Sequence, residues 1–463
     1  MGFLVNITLF GWIPFVIFYL YKRFPSQQAV IYGFILAWLF LPVASFTFPG
    51  IPDLTKTSAA SYAIFFAVVL YDFDRLEKLR PHWVDIPIIM LCIVPFFSSL
   101  SNGLGAYDGA SQTLSRFVTW GMPYLIGRIF LNDATGLRRL SMGMFMGGLI
   151  YVPLCLFEVR MSPQLHSMVY GYFPHSFAQT IRYGGWRPNV FMQHGLEVGM
   201  WMMAATLIGI WLWRSGALKK LWGYPLKLLV PILFVTFILV KSTGAYGLLL
   251  IGLGVLWLGR KLKTALPAFV LATMIIIHAG FSAFGTPFYA TQLVSYMKQV
   301  GIPEERTASL EFRWDNEEIL AEKAQQRIIF GWGGWGRNRV YEENWRGELV
   351  DVSVTDSLWI IIYGVNGLFG LIGLMGTLVL PPVSLFWLKL PAKAWEKPQA
   401  APVAGLGVVI LLYALDCLLN AMVNPIFILG VGGIAELVAQ PQTQHRSRRA
   451  IVPKQRQKQP SQS

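Results

Sequence analysis

Charge is scarce in this chain. Only 13% of its 463 residues are Asp, Glu, Lys or Arg, whereas a soluble protein carries about 25%. Cysteine is scarcer still: Cys92, Cys155 and Cys417 are the only three, and each sits inside an apolar run. With no CxxC pair and no Cys/His cluster, the sequence predicts neither a disulfide framework nor a thiolate metal site. No internal repeat stands out, which counts against an inverted-repeat transporter. The first apolar run lacks a basic leader and a small-residue cleavage site, so it reads as a retained span.

What is present is apolar: 55% of residues are hydrophobic, and the mean hydropathy is +0.52. Apolar runs of about 17–25 residues recur, each long enough to cross a hydrocarbon layer of about 30 Å. The sequence therefore predicts an all-α, polytopic integral membrane protein with about 12–13 transmembrane helices. The runs lie near residues 4–21, 28–46, 58–73, 84–100, 112–130, 140–157 and 194–213. They continue near 226–240, 244–259, 265–283, 357–388, 401–419 and 425–438. Residues 1–440 form a single transmembrane domain, and 441–463 a basic, apolar-poor tail expected to be disordered.

The net charge of +14 calls for no nucleic-acid partner. Every second connection is short and basic: Lys22-Arg23, Arg75/Lys78/Arg80, Arg138-Arg139, Arg214/Lys219/Lys220, Arg260/Lys261/Lys263 and Lys389/Lys393/Lys397. An excess of Lys and Arg marks cytoplasmic loops. The two long loops, 158–193 and 284–355, then face outward, and the second holds eleven acids and eight bases. Ionisable residues within spans are functional candidates by default. Arg116, His194, Glu197, Lys241, His278, Asp356 and Asp416 all fall near the outward ends of their spans, as around a polar cavity open to that side.

Within the second loop, Leu310, Trp314, Ala321, Ala324 and Ile328 recur at helical spacing. Residues 308–329 therefore read as an amphipathic helix that lies on the membrane or caps the cavity. Arg313 stands one turn before Glu317 and either pairs with it or aims its planar fork at an anionic ligand. The glycines of "GWGGWGRNR" (331–339) end that helix; with no GK[ST] and no preceding strand, they do not make a P-loop. Trp332 and Trp335 either anchor the loop at the interface or offer flat faces to sugar rings. Thr355 or Asp356 is placed to cap the next span.

Three stretches together resemble the O-antigen ligase/polymerase superfamily, membrane glycosyltransferases that use undecaprenyl-diphosphate-linked glycans. They are Arg313-Trp314 followed by "IIFGWGGWG", then "DSLWIIIYGVNGLFG" with Gly367 and Gly370 in the family's glycine places, and "RPNVFMQHGLEVGMW" entering the span after the first long loop. The likeness covers about residues 140–390. Counting back from the glycines, Asp356 stands where the family has a histidine. Thr243 in "KSTGAYG" stands where the family tends to have an arginine, with Lys241 two residues away.

The resemblance implies a metal-independent, inverting glycosyltransferase without a cofactor, in the bacterial inner membrane. Arg187, Arg313 and Lys241 would hold the donor's diphosphate and Asp356 would act as general base, with Trp332 and Trp335 as sugar contacts. Arg182, Arg337 and Arg339 are secondary candidates. Its partners would be a polyprenyl-diphosphate-linked glycan, membrane lipid and other polysaccharide-assembly proteins. A transporter or flippase of lipid-linked sugars, or a non-catalytic assembly component, is the alternative.

Overall fold

The computed structural model describes residues 2–48, 50–77, 79–285, 290–301 and 304–441. The basic tail beyond 441, Lys78 and the side chain of Leu310 lie outside the described residues. Fourteen helices carry the spans and the second long loop, with the shorter helices Phe73–Glu77, Leu165–Tyr170 and Ala290–Gln299 in the connections. In chain order they are α1 (Phe3–Phe15), α2 (Ser26–Phe40), α3 (Lys56–Tyr71), α4 (Ile86–Ser101), α5 (106–130) and α6 (Ala134–Met161). There follow α7 (Gly195–Arg214), α8 (Leu226–Leu239), α9 (Thr243–Leu262) and α10 (Leu266–Phe284). The last are α11 (Glu304–Gln325), α12 (Leu358–Ser384), α13 (Ala401–Asp416) and α14 (Pro425–Ala439).

This is a multi-pass membrane protein. Seven helices are long and apolar enough to cross a membrane, and five shorter apolar helices accompany them. The remaining span, α5, has a polar first half, a π-turn over Phe117–Gly121 and an apolar second half (Met122–Phe130). Four two-stranded hairpins are confined to connections: β1–β2 (Ser45–Phe48, Ile51–Thr55), β3–β4 (Ile181–Arg182, Gly185–Trp186), β5–β6 (Lys220–Leu221, Tyr224–Pro225) and β7–β8 (Tyr341–Glu343, Leu349–Asp351).

Helices meet where side chains are small, since lipid leaves packing as the main attraction between them. A Cβ on Gly127 of α5 would lie 2.1 Å from the Leu429 carbonyl, and one on Gly432 of α14 2.0 Å from the Tyr124 carbonyl. The two backbones touch through these glycines.

The connections sort to two ends. At one, Arg139 bonds Gln27, Arg138 donates to the Ala217 carbonyl at 3.0 Å, Arg260 pairs with Glu396 at 2.6 Å and Lys389 reaches the Gln440 carbonyl. The short basic connections thus gather at this basic end. Here too a guanidinium is buried among spans. Arg128, 3% exposed, pairs with Asp85 and with Glu436 (2.6 Å), and Tyr124 donates to Asp85 at 2.7 Å. At the other, loop end, His166 accepts from the Val43 amide (3.2 Å), Lys56 donates to the Phe191 carbonyl (2.9 Å) and Trp335 to Asp108 (2.8 Å).

The Arg128 cluster binds the starts or ends of α4, α5 and α14 together. Removing one member of a buried ion cluster leaves its partners uncompensated, at a cost of about 3–5 kcal/mol. Arg128→Leu is expected to lower the thermal unfolding midpoint of the purified protein clearly, whereas Arg139→Leu at the same end, on an exposed pair, leaves it nearly unchanged.

Candidate functional site

The loop end is built around a broken helix. α12 continues from Leu358 to Ser384, but Gly367 sits at φ 63°, ψ −161°, which no helix permits. The single span that the sequence places near 357–388 is present, and within it the helix divides into two halves at Gly367. The freed backbone groups are met by residues 328–333. Leu368 donates to the Ile328 carbonyl (2.7 Å), while Trp332 and Gly333 donate to the Gly364 and Val365 carbonyls (2.9 and 3.0 Å). Backbone at membrane depth requires such partners. A Cβ on Gly331 would lie 2.6 Å from the Gly367 nitrogen, and one on Gly367 2.4 Å from the Ile329 carbonyl oxygen. Phe330 stacks between Phe97 and Phe369, at 5.8 and 5.5 Å. The glycine-rich stretch does not end α11, which stops earlier at Gln325; it completes the core of another helix.

α11 leads into this stretch. It spans Glu304–Gln325, ending four residues earlier than its spacing predicts, and packs on α10 and α12 with Leu320, Ala321 and Ala324 buried. Of the two readings of Arg313, the i,i+4 pair with Glu317 does not form, and both side chains make longer-range contacts. Arg313 faces Asp356 (3.7 Å) and donates to the Leu419 carbonyl (2.8 Å). Glu317 accepts from the Ser357 hydroxyl and from the Trp359 indole (3.1 Å). Burial pushes the Glu317 carboxyl up to about 7, against the opposing pull of those two donors and Arg313. Neither Thr355 nor Asp356 caps α12. Its N-cap is Ser357, and the first amides donate to the Cys417 and Asn420 carbonyls.

The 158–193 loop lies at the same end. The buried Glu158 carboxylate accepts from four backbone amides, those of Gln164, Leu165, Asn189 and Val190, at 2.7–3.1 Å. That fixes the loop at both ends and holds Val190 at φ 53°. The loop then presents Arg187, 5% exposed, whose aliphatic stem lies where a Cβ on Gly195 would be 2.1 Å away.

His194 caps α7 from just outside the span: its Nδ1 accepts from the Leu196 amide (3.0 Å), so Nε2 donates to Gln179 (3.0 Å). Burial, followed by the charges of Arg187, His175, Arg182 and Arg313, lowers its pKa to about 4 and keeps the ring neutral. Three guanidinium groups from two separate loops thus bear on one neutral imidazole.

Of the residues singled out from sequence, Arg313 and Asp356 face each other directly, while Arg187 and Arg182 share with Arg313 only electrostatic reach of His194. Lys241 is at φ 57°, and its ammonium meets the Arg182 carbonyl at 3.3 Å. The tryptophans are placed apart. The Trp332 indole donates to the Lys323 carbonyl (2.6 Å), with the Lys323 ammonium 4.0 Å and the Arg327 guanidinium 4.9 Å from its ring. Trp335 is 77% exposed beside Asp108. Arg337 donates to the Asn102 carbonyl (3.2 Å), and Arg339 pairs with Asp351. Glu317 has no local signature as a site residue, because its partners lie 40 and 42 residues away.

Chemically, guanidinium groups from two loops beside a carboxylate suit an oxyanion of more than one charge. No family model matches the chain, and no curated protein matches it.

The raised Glu317 carboxyl fixes a pH dependence. Its protonated form favours the folded state, so that contribution is complete below about pH 4.5 and is lost as pH rises through about 7. Glu317→Gln keeps an oxygen for Ser357 and Trp359 but cannot ionise. Unfolding midpoints measured from pH 4.5 to 8.5 should show the wild type falling progressively below the variant across that window. Parallel curves would contradict the assignment.

Proposed function

We propose that this multi-pass membrane protein is a glycosyltransferase of the O-antigen ligase/polymerase type. On this reading it transfers or polymerises a polyprenyl-diphosphate-linked glycan at the outer face of a bacterial inner membrane. The observation that carries the reading is the Arg313–Asp356 pair beside His194, whose ring also feels the charges of Arg182 and Arg187. The basic end of the bundle is assigned to the cytoplasm by its Lys and Arg excess, which turns the loop end outward.

In this reading the donor's lipid tail lies among the spans and its diphosphate meets these guanidinium groups. A diphosphate that draws Arg313 toward itself releases Asp356 from the ion pair. The acceptor hydroxyl oxygen then bonds to the anomeric carbon while the bond from that carbon to the diphosphate oxygen breaks. The electron pair leaves with the polyprenyl diphosphate, whose charge the guanidinium groups stabilise, and the hydroxyl proton passes to Asp356. Attack opposite the leaving group inverts the anomeric centre. No metal or cofactor takes part.

A second reading, transport of the same lipid-linked sugars, draws on the broken α12 and on the buried Asp85–Arg128–Glu436 cluster at the far end. Broken helices and ionisable groups through the membrane depth are features of transporters.

Deleting the gene, profiling lipid-linked oligosaccharides and surface glycan, and complementing with wild type or Asp356→Asn separates the two readings. Transfer predicts outward-facing precursors, loss of the polymer or of its attachment, and at least about a hundredfold lower product with Asp356→Asn, the scale of general-base loss. Precursors on the cytoplasmic side, or full complementation by Asp356→Asn, would replace transfer with transport or assembly.

A further inference from the structure

A polar cavity lies away from the loop arginines, at the break in α12. It has a volume of about 180 Å³ and is enclosed by α4, α5, the 333–334 glycines and the turn before Gly367. That is below the range of about 300–1,000 Å³ for drug-sized ligands, so it takes one small unit. Two of its side chains have more hydrogen-bonding capacity than the protein uses. Arg116 is half-buried, and among the described residues its guanidinium has one hydrogen-bond partner, Asn366 Oδ1 at 3.2 Å, and no carboxylate within ion-pair distance. Asn366 is 1% exposed, and among the described residues its Nδ2 has no hydrogen-bond partner. Buried donors of this kind are normally satisfied, and a lone guanidinium in a span is a functional feature by default.

The surroundings define what would satisfy them. Gln112, Ser115, Thr119 and Gly334 add uncharged hydrogen-bonding groups, and Trp120 adds a buried ring. The Asp108 carboxylate nearby has both oxygens engaged, by Ser99 (2.7 Å) and by the Trp335 indole (2.8 Å). The cavity therefore carries one positive charge, several neutral polar groups and an aromatic wall. A diphosphate would call for further cations, which are on the long loops. A single carboxylate on a polyhydroxylated ring matches one guanidinium and a neutral hydrogen-bonding lining. Asn366 is held there by the break itself: a Cβ on Gly370 would lie 2.4 Å from the Asn366 Cβ, so the second glycine of "GLFG" makes its room.

We propose that the Arg116–Asn366 cavity is a subsite for one carboxylate-bearing sugar unit, of the uronic acid class. Resting on the glycosyltransferase reading, it names an acidic residue in the glycan that the protein handles.

The test uses the full-length protein in lipid nanodiscs, titrated with free glucuronate, glucose and inorganic phosphate, with binding read by titration and by the unfolding midpoint. Glucuronate should bind saturably, at least about tenfold more tightly than glucose or phosphate, and Arg116→Gln should weaken it about ten- to a hundredfold, the scale of one charge-assisted contact. The wild-type comparison decides the matter even if the variant misfolds. Glucose binding as well as glucuronate, phosphate binding as well or better, or no binding of glucuronate would each overturn the proposal. Because the readout is binding of free sugars, its failure is separate from failure of the transfer reading, which the deletion strain reports.

Discussion

A helix that breaks at Gly367 must find partners for the backbone groups it releases, and in hydrocarbon no water supplies them. Residues 328–333 do so by laying their own backbone against the break, at a distance that admits hydrogen on the α-carbon and nothing larger at Gly331 and Gly367. That closure sets the position of much else at the loop end. It fixes the C-terminal end of α11, and so the reach of Arg313 and Glu317 toward the start of α12. It also places Asn366 at the turn facing Arg116. One backbone contact between segments more than thirty residues apart thus orients both the Arg313–Glu317 stretch and the Arg116–Asn366 cavity.

The loop arginines are placed in a different way. Arg182 and Arg187 stand on a loop with little regular structure, held by the Glu158 carboxylate through four amides and by a two-residue hairpin. A carboxylate can accept several hydrogen bonds at once, which lets a single buried side chain serve where a sheet or helix would otherwise be needed. The result brings Arg182 and Arg187, like Arg313, within electrostatic reach of His194, whose neutral ring adds no further charge. Like charges gathered on purpose raise the free energy of the empty site, and an anionic ligand relieves it. This is the physical basis for reading these arginines as a diphosphate site.

Periodicity and apolar run length made the fold legible: each of the expected spans falls on a helix, because a bilayer imposes nearly the same length and polarity on every crossing. The connections' charge pattern likewise anticipated which loops would share an end. The candidate residues Arg187, Arg313 and Asp356 were legible as ionisable groups near long loops. Their partners were not. Local rules offered Arg313 a carboxylate one turn on and made Asp356 a cap, but tertiary packing gave Ser357 and Trp359 to Glu317 and left Asp356 for Arg313. The break at Gly367 was equally hidden, since a Gly in an apolar run reads as helix until a second segment arrives to bond with it. Trp332 shows the same limit, its indole bonded to the Lys323 carbonyl and its ring flanked by Lys323 of α11 and Arg327 of the turn after it.

The central claim, that the protein transfers a glycan from a lipid diphosphate, is tested most directly by reconstitution. Purified protein in nanodiscs would be given lipid-linked oligosaccharide extracted from the deletion strain, with products analysed by mass spectrometry. The account predicts an elongated or transferred glycan, one equivalent of released polyprenyl diphosphate per bond formed, and an inverted anomeric centre in the new linkage. Donor recovered intact, in the presence of the acceptor glycan and with the protein folded, would contradict it.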